Sequence, residues 1–254
     1  SATLLRLILR VTGGSAHLHP GAYRFDSPEN AITVASRIAA GAFGIPPARV
    51  TFFEGDTVRD MAARVAALLP EISAPDFIAA AGPYEGYLFP DTYFFQPDAT
   101  PASIVAAMRA NFDAKTAPLE SEIAASGHSL SDIVIMASLV EKEARSSDAR
   151  QMVAGILWNR IQKHMPLQVD AVFGYIFNRS TYSPSFEDLG VSSPYNTYTH
   201  TGLPPGPIDN PGLDSIEAAL HPAKTDYLFY LTGTDGQMHY AKTYAGQLAN
   251  QRKY

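Results

Sequence analysis

Cysteine is absent from the 254 residues. Thiol nucleophiles, thiolate metal sites and disulfides are therefore excluded, while the redox compartment stays open. Long apolar runs are missing too. No stretch reaches the ~20 apolar residues that a bilayer span needs. Thr3 to Val11 is apolar but broken by Arg6 and Arg10, lacks the small-residue cleavage site of a signal peptide, and starts without a capping residue, as expected of a chain trimmed upstream. Positive charge is scarce. Lys and Arg number 19 against 25 Asp and Glu, a net charge of −6, which argues against nucleic acid as a partner bound through a broad basic surface. There is no Gly-rich phosphate loop, since Gly41 to Gly44 is short and reads as a helix end, and no Gly-x-Ser-x-Gly elbow. The seven histidines never pair at helical metal spacing, so neither a metal nor a cofactor is expected.

What is present is a globular composition, 46% hydrophobic and 17% charged, long enough for one large domain or two modest ones. Leu4 to Arg10 reads as a helix end or strand stopped by Gly13-Gly14-Ser15. Ala22 to Phe25 is a short strand candidate. Asp26-Ser27-Pro28-Glu29 starts a helix that runs to Gly41. Arg49 to Phe53 alternates as a strand, and Gly55-Asp56-Thr57 turns into a helix from Val58 to Leu69. A short helix opened by Pro75 ends at Gly82. These elements make a strand–helix–strand–helix unit, with a domain boundary near 82.

Tyr84 to Gln96 holds six aromatics interrupted by Pro90 and reads as irregular structure. Helices follow over Pro101 to Phe112, Ala117 to Ala125, Asp132 to Ala144 with Ser131 and Asp132 as its cap, and Asp148 to Arg160. Met165 to Pro211 is rich in Pro, Gly, Asn, Ser and Tyr, and a loop of that length in a compact domain usually carries function. Leu213 to Leu220 is a short helix. Tyr227 to Thr232 and Met238 to Lys242 are strands joined by a Gly-Thr-Asp-Gly hairpin turn. Tyr244 to Tyr254 closes the chain as a helix. The fold class is α+β: a small α/β unit over 1–82, then a larger mixed, helix-rich domain over 83–254 with a C-terminal β-hairpin.

One segment points to chemistry. In Met136-Ala137-Ser138-Leu139-Val140-Glu141-Lys142-Glu143-Ala144, at about 100° per residue, Met136, Leu139, Val140 and Glu143 share one helical stripe. Glu141 lies nearer its edge. A carboxylate on a core-facing stripe is desolvated, which raises its pKa and makes it a general acid near neutral pH. The plain alternative is a glutamate paired with Arg145 or Arg150 at a helix end. The loop that follows supplies sugar-binding chemistry: the amide and carboxylate of Gln168 and Asp170, then the phenols, amide and hydroxyl of Tyr195-Asn196-Thr197-Tyr198. Aromatic rings stack on the apolar face of a pyranose and amides bind its hydroxyls. Taken singly, each of these residues is equally at home as packing.

Glu85-Gly86-Tyr87-Leu88-Phe89-Pro90-Asp91-Thr92-Tyr93, Ala137 to Glu143, Asn159-Arg160, Leu167-Gln168-Val169-Asp170, Tyr195-Asn196-Thr197-Tyr198, Gly202-Leu203-Pro204-Pro205-Gly206 and His221-Pro222-Ala223-Lys224 occur in one order. Together they resemble the motifs of the YceG-like, or MltG, family of endolytic murein transglycosylases. The resemblance spans most of residues 21 to 246. Gly21-Ala22-Tyr23-Arg24 and Glu54-Gly55-Asp56-Thr57 resemble markers of the family's LysM-like part, here N-terminally truncated. One departure is Gln247 after Thr243, where the family often has a His.

The resemblance implies a lytic transglycosylase, a lyase that cuts the MurNAc-β-1,4-GlcNAc bond inside peptidoglycan strands and leaves a 1,6-anhydro end, terminating strand elongation. It makes Glu143 the catalytic acid, with Glu141 as runner-up. It places Glu85, Gln168, Asp170, Tyr195, Asn196, Thr197 and Tyr198 at the sugar. It also implies an inner-membrane protein with one N-terminal transmembrane helix, a periplasmic catalytic domain, and membrane-bound cell-wall synthases as partners. Two other readings compete: a glycoside hydrolase pairing Glu143 with Asp170 or Asp91, and a non-catalytic peptidoglycan-binding scaffold.

Overall fold

The computed structural model describes Ile8 and residues 18–179 and 183–254. Apart from Ile8, the run Leu4 to Arg10 lies outside the described residues. The architecture is mixed α+β with two small antiparallel sheets. Helix α1 (Ala31–Ala40) is followed by strand β1 (Ala48–Thr51) and helices α2 (Val58–Leu68) and α3 (Ala74–Ala81). Then come β2 (Thr92–Phe95), α4 (Pro101–Thr116), α5 (Glu120–Ser126), α6 (Leu130–Glu143), α7 (Ser147–Gln162) and α8 (Ala171–Ile176). Helix α9 (Leu213–Leu220), the hairpin β3 (Phe229–Thr232) and β4 (Met238–Ala241), and helix α10 (Tyr244–Lys253) complete the order.

The first unit differs from its expected strand–helix–strand–helix order. Ala22 to Phe25 forms no strand. Instead Tyr23 packs on the Phe43 ring at 4.8 Å and its hydroxyl donates to the His19 carbonyl at 2.7 Å. The partner of β1 is β2, drawn from the aromatic stretch expected to be irregular, in the register Ala48↔Phe95 to Thr51↔Thr92. Helix α1 begins later than expected, capped by Asn30, whose side chain accepts the Thr33 N–H, while Glu29 ahead of it pairs with Arg37 at 2.7 Å. The core of this unit joins Val50, Phe52, Met61, Val65 and Phe77 to Leu88, Phe95, Ile104 and Met108. Residues well past 82 therefore help to close it.

The second core surrounds α6, whose residues Ile133 to Val140 are all buried. Ser129 and Asp132 form a reciprocal capping box and start α6 two residues ahead of the expected cap at Ser131. Helices α7 and α9 pack against it, with Val153, Leu157, Ile216 and Ala219 in the same cluster. Among the described residues no single helix is long and apolar enough to cross a membrane.

Asn210 joins the two cores. It is fully buried; its Oδ1 accepts from the backbone N–H of Gly86 and Leu88, and its Nδ2 donates to the Asp56 carbonyl and to Glu85. Gly86 sits at φ 86°, and a Cβ there would fall 2.3 Å from Pro207 Cγ. Only glycine permits both the backbone and that contact. The Glu-Gly-Tyr and Pro-Pro-Gly-Pro segments, far apart in the chain, meet at this point.

Candidate active site

Helix α6 ends at the site. Its last residue, Glu143, reaches a cleft of about 530 Å³. Asp170, Ala171 and Tyr175 of α8 line the same cleft on one side, with Val58, Arg59 and Glu85 among its other lining residues. Glu143 is half-buried as a residue. Burial raises its pKa to about 7, with the Asp170 charge adding to the rise and hydrogen bonds from Tyr230 and the Ala171 N–H opposing it. The Tyr230 hydroxyl donates to Glu143 Oε2 at 3.1 Å. Among the described residues, no cation is a cause of that shift. Such a carboxyl is poised to hold and release a proton near neutrality.

Glu141, two residues earlier, does something else. Arg150 holds its Oε1 at 2.6 Å, the Gly212 N–H donates to its Oε2 at 3.0 Å, and Arg150 also grips Asp214. The pairing with an arginine that the sequence allowed for either glutamate falls on Glu141. Lys142, between them, donates to the Gly55 carbonyl and lies 3.8 Å from the buried Asp209.

Glu85 is the second desolvated acid of the cleft. Its carboxyl accepts the Val58 N–H at 3.0 Å and the Asn210 amide at 2.7 Å, and burial raises its pKa to about 7 against both. Asp170 accepts the Tyr198 hydroxyl at 2.5 Å. Burial and the Asp170 charge hold that phenol well above its usual range. Tyr195 packs against Tyr175 at a tilt of 48°, with ring centroids 5.0 Å apart.

Tyr195 and Tyr198 reach the cleft only through these contacts with Tyr175 and Asp170 and do not line it, and the other expected sugar ligands lie further off. Asn196 is fully buried; its amide donates to the Leu189 and Val191 carbonyls and its oxygen accepts the Tyr198 N–H. Thr197 is buried too, exchanging bonds with the Val169 backbone. Both staple the loop that carries Tyr195 and Tyr198, and neither lines the cleft. Gln168, exposed at φ 52°, does not line the cleft; its Oε1 accepts from Arg160 at 3.3 Å. Asp91, weighed as a hydrolytic base, bonds Asn111 and the Thr92 N–H outside the cleft.

Asn159, Arg160 and the His221 to Lys224 run are scaffold. Asn159 donates to the Thr225 carbonyl, Arg160 to the Leu167 and Leu228 carbonyls, and the Ala223 N–H to the Gln151 carbonyl. Tyr230 and the Ala171 N–H were not singled out from sequence. No local pattern marks either, because each acts on Glu143 only through the tertiary fold.

A mixed α+β scaffold here carries a carboxyl of raised proton affinity to a cleft at the end of a buried helix. The chain belongs to the YceG-like family, whose model matches residues 1–253. An endolytic murein transglycosylase of Bacillus subtilis is 41% identical over 173 residues, 68% of this chain and 48% of that protein. One from Streptococcus pneumoniae serotype 2 is 36% identical over 163 residues, 62% of this chain and 30% of that protein. The crystal structure of a YceG-like protein, lmo1499, from Listeria monocytogenes aligns with a TM-score of 0.74 at 29% identity, covering 98% of this chain and 90% of that one. The chain thus spans about half the length of the first of these curated relatives and less of the second.

Proposed function

We propose that this chain carries the catalytic part of an endolytic lytic transglycosylase acting on peptidoglycan glycan strands. The observation that carries the reading is the Glu143 carboxyl: desolvated, facing the cleft, and without an ion-pair partner among the described residues. The sequence relatives named as endolytic murein transglycosylases support it. In this reading the strand lies along the cleft with the MurNAc-β-1,4-GlcNAc bond over Glu143. Glu143 gives its proton to the bridging oxygen, and the C1–O bond breaks with its electron pair on that oxygen. The substrate's own N-acetyl oxygen steadies the positive charge at C1. The resulting Glu143 carboxylate then takes the proton of the MurNAc C6 hydroxyl as that oxygen attacks C1, closing a 1,6-anhydro ring without consuming water. Intramolecular attack gains from proximity, so one carboxylate does what two do in ordinary glycosidases.

Glu85, Asp170, Tyr195 and Tyr198 hold the sugar in this reading, and the α2 face of the LysM-like unit forms the facing wall. The proposed setting is the outer face of the inner membrane, where the enzyme releases strands from synthases and so ends their elongation. The test is mass spectrometry of glycan strands digested by the wild type and by Glu143→Gln. Anhydro products from the wild type and none from the variant support the reading. Products one water heavier mean a hydrolase, and binding without cleavage by the wild type means a scaffold.

A further inference from the structure

Strand β3 brings Tyr230 to the acid from 87 residues away. Burial and the Glu143 charge hold this phenol well above its usual range, so it remains a donor at all working pH values. The same residue is anchored through its backbone: Gln247 of α10 donates its amide N–H to the Tyr230 carbonyl at 2.9 Å. Gln247 is only 8% exposed and its Oε1 has no partner. Asn250, one turn on, donates to the Tyr240 carbonyl of the paired strand at 3.2 Å. From the other side Arg160 of α7 donates to the Leu228 carbonyl at 2.7 Å, fixing the entry into β3. Among the described residues, the other groups that act on Glu143 are Asp170 and the Ala171 N–H at the start of α8, with Tyr198 of the following loop coupled to it and Arg160 behind Tyr230; Arg59, Lys142 and Arg179 line the same cleft.

We propose that Tyr230, held in place by Gln247, is a positioning residue for the proton transfer at Glu143. The inference rests on the reading of Glu143 as the proton donor. A glutamate end has free torsions, and a bond to one carboxyl oxygen removes them before substrate arrives. The bond also changes strength during the reaction. A donor to a carboxylate is bound roughly twice as strongly as a donor to a neutral acid. As the Glu143 O–H bond breaks and the proton passes to the bridging oxygen, the Tyr230 contact tightens, so it favours the transition state over the ground state. Tyr230 keeps its own proton throughout.

Tyr230→Phe removes that one oxygen. On the whole chain, carbon-13 NMR titration of labelled glutamate should show the Glu143 carboxyl titrating about one pH unit higher. Cleavage should show kcat about tenfold lower with KM within about twofold, and the alkaline limb of kcat/KM displaced upward by the same unit. An unmoved titration with unchanged kcat overturns the proposal. Gln247→Leu should lower kcat in the otherwise native protein and add nothing in the Tyr230→Phe background; fully additive losses overturn the link through Gln247. The titration needs no turnover. It therefore reports on the Tyr230 contact even where an active Glu143→Gln has removed the proposed role of Glu143.

Discussion

Two residues apart on the last turn of α6, Glu141 and Glu143 face regions of opposite character. Around Glu141, α7 and the start of α9 contribute Arg150, a backbone N–H and a second acid on the same arginine. Around Glu143, the start of α8 and strand β3 contribute a backbone N–H, a phenol and the Asp170 charge, and among the described residues no cation is a cause of its shifted proton affinity. Both carboxylates leave water; only one receives a counter-charge. The same side chain on the same turn is an ion-paired strut in one place and a carboxyl of raised proton affinity in the other. What differs is the charge that neighbouring elements bring.

The sharpest way to break this comparison is to remove each proton-binding group in turn. Glu143→Gln should lower cleavage by roughly 10²–10⁴-fold, with an unaltered circular dichroism spectrum. Full activity in that variant would end the distinction. Glu141→Ala should act in the reverse sense. It breaks a pair whose side chains are only 6% and 11% exposed, so denaturant unfolding should show a loss of about 3 kcal/mol. The fraction that stays folded should cleave within a few fold of the wild type. A stable, inactive Glu141→Ala would move the catalytic role from Glu143 to Glu141.

A third effect follows from the sign of the shift at Glu143. Its pKa is raised from 4.5 to about 7 in the folded chain. Between those values the native state holds a proton that the unfolded chain has released. Stability therefore falls as pH rises through that window, and acid restores it. Glu143→Gln abolishes this dependence. Relative to the wild type, the variant should gain about 2.5 kcal/mol between pH 5 and pH 8. Glu85 shifts the same way but is present in both proteins, so it cancels from the difference. Parallel stability–pH curves would mean that the carboxyl is not desolvated in the native state.

How much of this was legible beforehand depends on how far each signal travels along the chain. The apolar stripe of α6 placed Glu143 on a buried face, and the Gly-Thr-Asp-Gly turn marked the β3–β4 hairpin, because both are local patterns. Helix α9 kept its expected ends at Leu213 and Leu220. The pairing of β1 with β2 was not legible, since the aromatic stretch around Pro90 hides a four-residue strand whose partner lies about 40 residues earlier. Helix α8 was hidden inside a Pro- and Gly-rich run because its six residues are too few to show a helical period. Asn196 and Thr197 have the right chemistry for a sugar, but polar side chains also close loops, and only the fold tells which duty each performs. Tyr230 illustrates the limit: its identity is plain, while its contact with Glu143 exists only once two distant elements have docked.

The smallest effect lies at the far end of the helix that carries both glutamates. Ser129 caps the first turn of α6 by accepting the Asp132 N–H at 3.1 Å, and Asp132 returns the bond to the Ser129 N–H at 3.0 Å. Ser129→Ala removes half of this box and should cost about 1 kcal/mol of stability. The eight consecutive buried residues from Ile133 to Val140 separate that cap from the cleft and hold the helix by packing. A frayed first turn therefore should not move the last one. Cleavage by the folded variant should match the wild type, and the pH of half-maximal activity should stay where it was. A shift in that pH would show that the position of α6, rather than the local surroundings of its two glutamates, governs the proton.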